Sequence, residues 1–170
     1  MRRKSYITAT AVALSIAGTL TIGTPASATV SGGYISGAGT VLDDLTDEGP
    51  VKYGQYSGAV AVWQTILWAD GYLGTNHSAA VDCSFGNNTL AATKQWQRDH
   101  GLVADGVAGP KTFTKAGQYL RASGTNVYGE DIINYDSPRS SLRHLADRDS
   151  SGRWIVWANG GERFASYKYC

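Results

Sequence analysis

V-x-x-W-Q-x-x-L over Val60–Leu67, F-G-x-x-T over Phe85–Thr89, A-T-x-x-W-Q-x-x-x-G-L over Ala92–Leu102 and D-G-V-x-G-P-x-T over Asp105–Thr112 are the four pieces of sequence on which the fold turns. Val60, Trp63 and Leu67, with Val62 and Ile66 beside them, recur at helical spacing and predict a helix from Gly58 to Asp70, stopped by Gly71 and Gly74. A second helix is expected from Asn87 to His100, with Ala92, Thr93 and Trp96 inward and Gly101 as its left-handed cap. A third starts at Pro110, a residue suited to the first helical position, with Phe113, Ala116, Gly117 and Leu120 as its inner stripe.

An internal repeat runs through the same stretch. Asp82, Gly86, Thr89 and Trp96 correspond to Asp105, Gly109, Thr112 and Tyr119 at a constant offset of 23 residues. Each unit reads as a turn with an Asp that accepts backbone N–H bonds, a Gly at the helix entrance, a Thr in the first turn and an aromatic on the inner face.

The order and spacing of these elements resemble the peptidoglycan-binding domain, the small three-helix module of bacterial cell-wall proteins. The resemblance covers residues 58–120, roughly 65 of 170. It implies a module without catalytic chemistry of its own, whose ligand lies in a shallow groove between helices and their preceding loops. On matching positions, that points to Asp82, Ser84, Asn87, Asn88, Asp105 and Gly106, with Gln64 and Gln97 as outer candidates. Their donors and acceptors suit a peptide stem of amides and carboxylates. The same residues also read as turn and cap residues. Two departures stand out: the loop Tyr72–Val81 is longer than the pattern wants, and Cys83-Ser84 stands where a Gly is common.

Outside the module, Arg2, Arg3 and Lys4 precede an apolar stretch from Ile7 to about Ile22, and Ala26-Ser27-Ala28 supplies small residues before a cleavage site. This reads as a signal peptide over residues 1–28 rather than a membrane span, since the apolar run is shorter than the ~20 residues a spanning helix needs. The formal charge of +1 then becomes −2, because losing those three cations leaves 12 basic residues against 14 acidic. Nothing in that balance favours nucleic acid or, after cleavage, a membrane surface. In an exported chain Cys83 and Cys170 are expected to pair, with intermolecular bonding or two free thiols as alternatives.

Residues 29–57, rich in Gly, Ser, Thr and Asp, read as a flexible lead-in kept soluble by Asp43, Asp44, Asp47 and Glu48. Residues 121–170 read as a small β-rich appendage. Asn159-Gly160 between Trp154–Ala158 and Arg163–Tyr169 signals a hairpin, and Ser141–Ala146 supplies a third strand. Such a meander is too small to fold alone and should pack on the helices. Trp154, Trp157, Phe164, Tyr167 and Tyr169 alternate, so one set can pack while the other is partly exposed, or both can pack.

No catalytic set emerges. His77, His100 and His144 lack the paired short spacing of a zinc site, and the C-terminal acids, Glu130, Asp131, Asp136, Asp147, Asp149 and Glu162, fall in no motif. Cys83 with a His as nucleophile and base is the weaker reading of a paired cysteine. The expectation is therefore an α+β protein, a mainly α three-helix module followed by a small antiparallel β-meander. As a function, the sequence suggests a secreted, wall-associated, monomeric peptidoglycan binder with no cofactor, metal or catalytic residue. The rival readings are a small wall hydrolase with its site in residues 121–170, and a wall-anchored protein-interaction module.

Overall fold

The computed structural model describes residues 32–170, so the expected signal peptide lies outside the described residues. Helix α1 spans Gly58–Ala69, α2 is a single turn at His77–Ala80, α3 spans Asn87–Asp99 and α4 spans Pro110–Gly117. Five strands follow: β1 Leu120–Thr125, β2 Asp131–Tyr135, β3 Arg143–Arg148, β4 Trp154–Ala158 and β5 Gly161–Phe164. They form one antiparallel meander in the order β1-β2-β3-β4-β5. The chain is thus α+β, a helical region followed by a sheet.

α1 is the centre of the molecule. Its sequence, GAVAVWQTILWA, is apolar on nearly every side, and every residue but Trp68 is buried. A helix without a polar face must be covered all round. Here α3 covers one side and strands β3, β4 and β5 the other. Ser57 caps it, its Oγ accepting from the Val60 N–H at 3.2 Å. The tail completes the cap, since Gly58 and Ala59 donate their N–H groups to the Tyr169 and Ser166 carbonyls at 2.8 and 2.9 Å. At the other end Asp70 is 1 % exposed and accepts from Trp96 Nε1 at 2.6 Å, the Tyr135 hydroxyl at 2.9 Å and the Ser137 hydroxyl at 2.5 Å. One carboxylate thereby ties α1, α3 and the sheet together.

The hairpin at Asn159-Gly160 forms as expected. Both residues take positive φ, 49° and 73°, and the register pairs Trp157 with Glu162 and Ala158 with Gly161. Three strands were expected and five form. β1, LRASGT, buries only its first residue and carries no alternation to read. β2 buries Ile133 and Tyr135 in strict alternation, and the Asn126 side chain organises the turn between them by accepting from the Tyr128 and Glu130 N–H groups. Leu120 is buried as expected, yet it belongs to β1, paired with Tyr135, because α4 ends at Gly117. Of the C-terminal aromatics, Trp154 is buried while Trp157 is 51 % and Tyr169 49 % exposed.

The lead-in is corrected most. Residues 32–57 pack against both the sheet and the helical region, with Ile35, Leu45 and Val51 fully buried. Ile35 donates to the Ala165 carbonyl at 2.8 Å and accepts from the Trp154 N–H at 3.1 Å. Two acids expected to face water are anchors. Asp44 accepts from Trp154 Nε1 at 2.9 Å and from Arg148, which also pairs with Asp131. Glu48, with no exposed surface, accepts from the Ser36 N–H at 3.0 Å and the Tyr167 hydroxyl at 2.5 Å. Short polar side chains and glycines read as linker, but here the Asp44 and Glu48 carboxylates meet Arg148, Trp154 and Tyr167, each more than a hundred positions away.

Burial pushes the Glu48 carboxyl up to about 7 from its ordinary 4.5; Asp47 and Asp44 push the same way, and the Tyr167 and Ser36 bonds only partly offset them. The folded state therefore holds a proton that the unfolded chain has released between those values. Stability should be greatest at and below pH ~4.5 and fall through pH ~7, by about 3 kcal/mol for this group. Thermal melts from pH 4.5 to 8 should show the decline, and Glu48→Gln should flatten it. An unchanged slope in that variant would show that Glu48 is not the titrating group.

Candidate functional site

The two repeat units are built on one device. Gln64, beside Trp63 on α1, sends its amide N–H groups to Asp82 Oδ1 at 2.7 Å, the Ser84 carbonyl at 3.0 Å and Thr89 Oγ1 at 3.0 Å. Its carbonyl accepts from the N–H groups of Asp82 and Cys83 at 3.1 and 2.9 Å. Gln97, beside Trp96 on α3, repeats this, donating to Asp105 Oδ1 at 2.8 Å, the Val107 carbonyl at 3.0 Å and Thr112 Oγ1 at 3.2 Å. Its carbonyl accepts from the Gly106 N–H at 2.9 Å. Asp82 and Asp105 each also accept at 2.9 Å from the N–H two residues on, at Ser84 and Val107. A buried amide is affordable only when its donors and acceptors are met, and both glutamines meet theirs.

Gln64 and Gln97, the outer candidates of the expected ligand set, take the turn-holding role that the same residues also suggested. They are 2 % and 1 % exposed and act as anchors that clamp each turn to the preceding helix. Asp82 and Asp105 are exposed but bonded inward through Oδ1, and Gly106 is buried at φ 80°. Ser84, Asn87 and Asn88 remain exposed. Cys83 takes the place of Gly106 in the first unit and adopts the same left-handed conformation, φ 65°. It is bonded to Cys170, as expected, with Cα atoms 6.3 Å apart. The first turn is further covered by Asn159, whose amide donates to the Asp82 carbonyl at 3.2 Å. Among the described residues the second turn has no such cover, and it borders an open hollow of about 350 Å³ lined by Asp105, Pro110 and Lys111.

A wider groove, about 530 Å³, lies between α3 and the loop after α1, lined by Tyr72, Leu73, Asn88, Ala91, Gln95 and Arg98. Of the expected site residues only Asn88 reaches it. The signal that could have found it is the long loop: Asp82 follows Gln64 by 18 residues, whereas Asp105 follows Gln97 by 8. The ten extra residues supply Tyr72 and Leu73. Tyr72 donates to Asp99 Oδ2 at 2.7 Å, and the Arg139 guanidinium sits 4.6 Å from its ring centroid. Burial first, and the Asp99 carboxylate second, push the Tyr72 hydroxyl up to about 12, so it stays a donor.

Other polar pockets are closed by their own bonds. The hollow of about 380 Å³ around Gly37, Gly152 and Arg148 presents a guanidinium already shared among Asp44, Asp131 and the Gly39 carbonyl. The histidines are apart: His77 packs on Trp68, His100 stacks on Trp96 with centroids 3.8 Å apart, and His144 meets Asp147 at 3.1 Å. Among the described residues no three His, Cys, Asp or Glu side chains gather as a metal site. No helix of the described residues is long and apolar enough to cross a membrane.

Comparison with known proteins bears on the same residues. The family described as putative peptidoglycan binding domain matches residues 56–116, the stretch that holds both glutamine-anchored turns. A zinc D-Ala-D-Ala carboxypeptidase of Streptomyces albus G is 46% identical over 59 residues, which cover 35% of this chain and 23% of that protein. The chain thus matches less than a quarter of that relative's length. No solved structure matches the chain. Residues 56–116 are accordingly similar to the peptidoglycan-binding domain family, and both comparisons point to a cell-wall-related role.

Proposed function

We propose that the protein is exported and binds peptidoglycan as a monomer, without cleaving it. The observation that carries this reading is the family match over residues 56–116, on a scaffold whose repeat turns are clamped from within and whose helices leave open grooves beside them. The carboxypeptidase activity is that of the relative, and residues 117–170 here build a small sheet packed on α1. Binding should be moderate, because one shallow groove with few anchors gives micromolar to millimolar affinity as an order of magnitude. It should depend weakly on salt, since the exported chain is near neutral.

The test uses the whole protein, because α1 draws caps from the tail. It should sediment with purified sacculi and leave no lytic band on a cell-wall gel. Protein that stays in the supernatant with all sacculi tried would end the binding reading. A lytic band would restore the hydrolase.

A further inference from the structure

Resting on that reading, we propose that the groove between α3 and the loop after α1 takes a wall peptide stem, a short peptide of small side chains ending in a free carboxylate. Arg98 would hold the carboxylate and Asn88 a backbone amide.

The charge argues for it. Arg98 is exposed, donates to Gln95 Oε1 at 2.7 Å and makes no ion pair among the described residues. No acid lines the groove among the described residues, and Asp99, next to Arg98 in sequence, is engaged by Arg139 at 3.0 Å and by Tyr72. A guanidinium with unused N–H groups at the end of a groove is a planar carboxylate receptor. At the other end, the exposed Asn88 amide offers a donor and an acceptor to a peptide unit.

The dimensions argue for it too. Asn88 and Arg98 are ten residues apart on one helix, about 15 Å along its axis. An extended peptide of four to five residues spans roughly 13–18 Å. Ala91 and Ala92 form the floor between them, and such short side chains leave room for a backbone with methyl-sized substituents. The wall is pre-set: Tyr72 is held by Asp99 on α3 and by Arg139 from the β2–β3 connection. The sheet region thereby shapes a groove on the helical module. Only the first repeat unit has the long loop that makes this wall.

The experiment is an NMR titration of the labelled full-length protein with a stem peptide released from purified peptidoglycan, and with a synthetic counterpart carrying a C-terminal amide. Shifts should cluster at Asn88, Ala91 and Arg98. Amidation and Arg98→Ala should each weaken binding about tenfold, with Arg98→Lys recovering part of it. Asn88→Ala should weaken it several-fold, and Lys111→Ala, beside the second turn, should leave it unchanged. Near-UV circular dichroism confirms that the variants fold. Wild-type affinity in Arg98→Ala, no peptide binding at all, or shifts centred on Lys111 or Trp157 would overturn the assignment. Equal binding of an all-L peptide from a protein C-terminus would overturn the wall stem as occupant. Sacculus sedimentation that survives Arg98→Ala would sink the groove alone, whereas failure of the wild type to sediment would sink wall binding itself.

Discussion

Trp96→Ala should cost about 3–5 kcal/mol of stability, the range for deleting a large buried aromatic. Trp96 has no exposed surface, meets Trp63 edge to face with centroids 5.2 Å apart, and stacks on His100. The loss is more than volume. Its indole N–H is one of three donors to the buried Asp70 carboxylate, so truncation also leaves a charged acceptor short of a partner. Trp96→Phe, which keeps most of the ring but not the donor, should fall between wild type and Ala. Urea melts measure both. A cooperative transition shifted by less than 1 kcal/mol in the Ala variant would mean that the helix faces do not pack this way.

Removing the Cys83–Cys170 bond should cost roughly 4 kcal/mol in the chain-entropy description, because it closes a loop of 87 residues. The local consequences single out this bond. The tail it pins supplies the carbonyl caps of α1 at Gly58 and Ala59. Without the bond Cys83 would keep a left-handed φ that costs a side chain about 1–2 kcal/mol and a glycine almost nothing. In the Cys170→Ser background, Cys83→Gly should therefore be more stable than Cys83→Ala by about that amount. Melts of the three variants, with the intact protein showing no alkylatable thiol by mass spectrometry, check both statements. Equal stability of the Gly and Ala variants would show that the turn does not require this conformation.

The helical module was legible because its signals are local. Apolar residues at helical spacing, Gly71 and Gly101 at positive φ, and Pro110 opening α4 each follow from backbone preferences within a few residues. The Asn159-Gly160 hairpin was readable for the same reason. β1 was not, since an edge strand with five exposed residues shows no pattern. The repeat itself was visible, but not the residue that organises each unit: Gln64 and Gln97 are buried only because the turns fold over them.

By itself the sequence determined the module, its two turns and the similarity of residues 56–116 to a peptidoglycan-binding family, and it favoured the pairing of the cysteines. It could do so because spacing along the chain dictates helices and turns. Only the tertiary structure decided that residues 32–57 are packed rather than loose, and that Asp44, Glu48 and Asp70 are buried anchors. It alone brought Arg139 to the wall of the groove on α3. Those outcomes depend on partners as far as 119 positions away. Whether a polar side chain faces water or a distant donor is settled by burial, which composition and local periodicity do not encode.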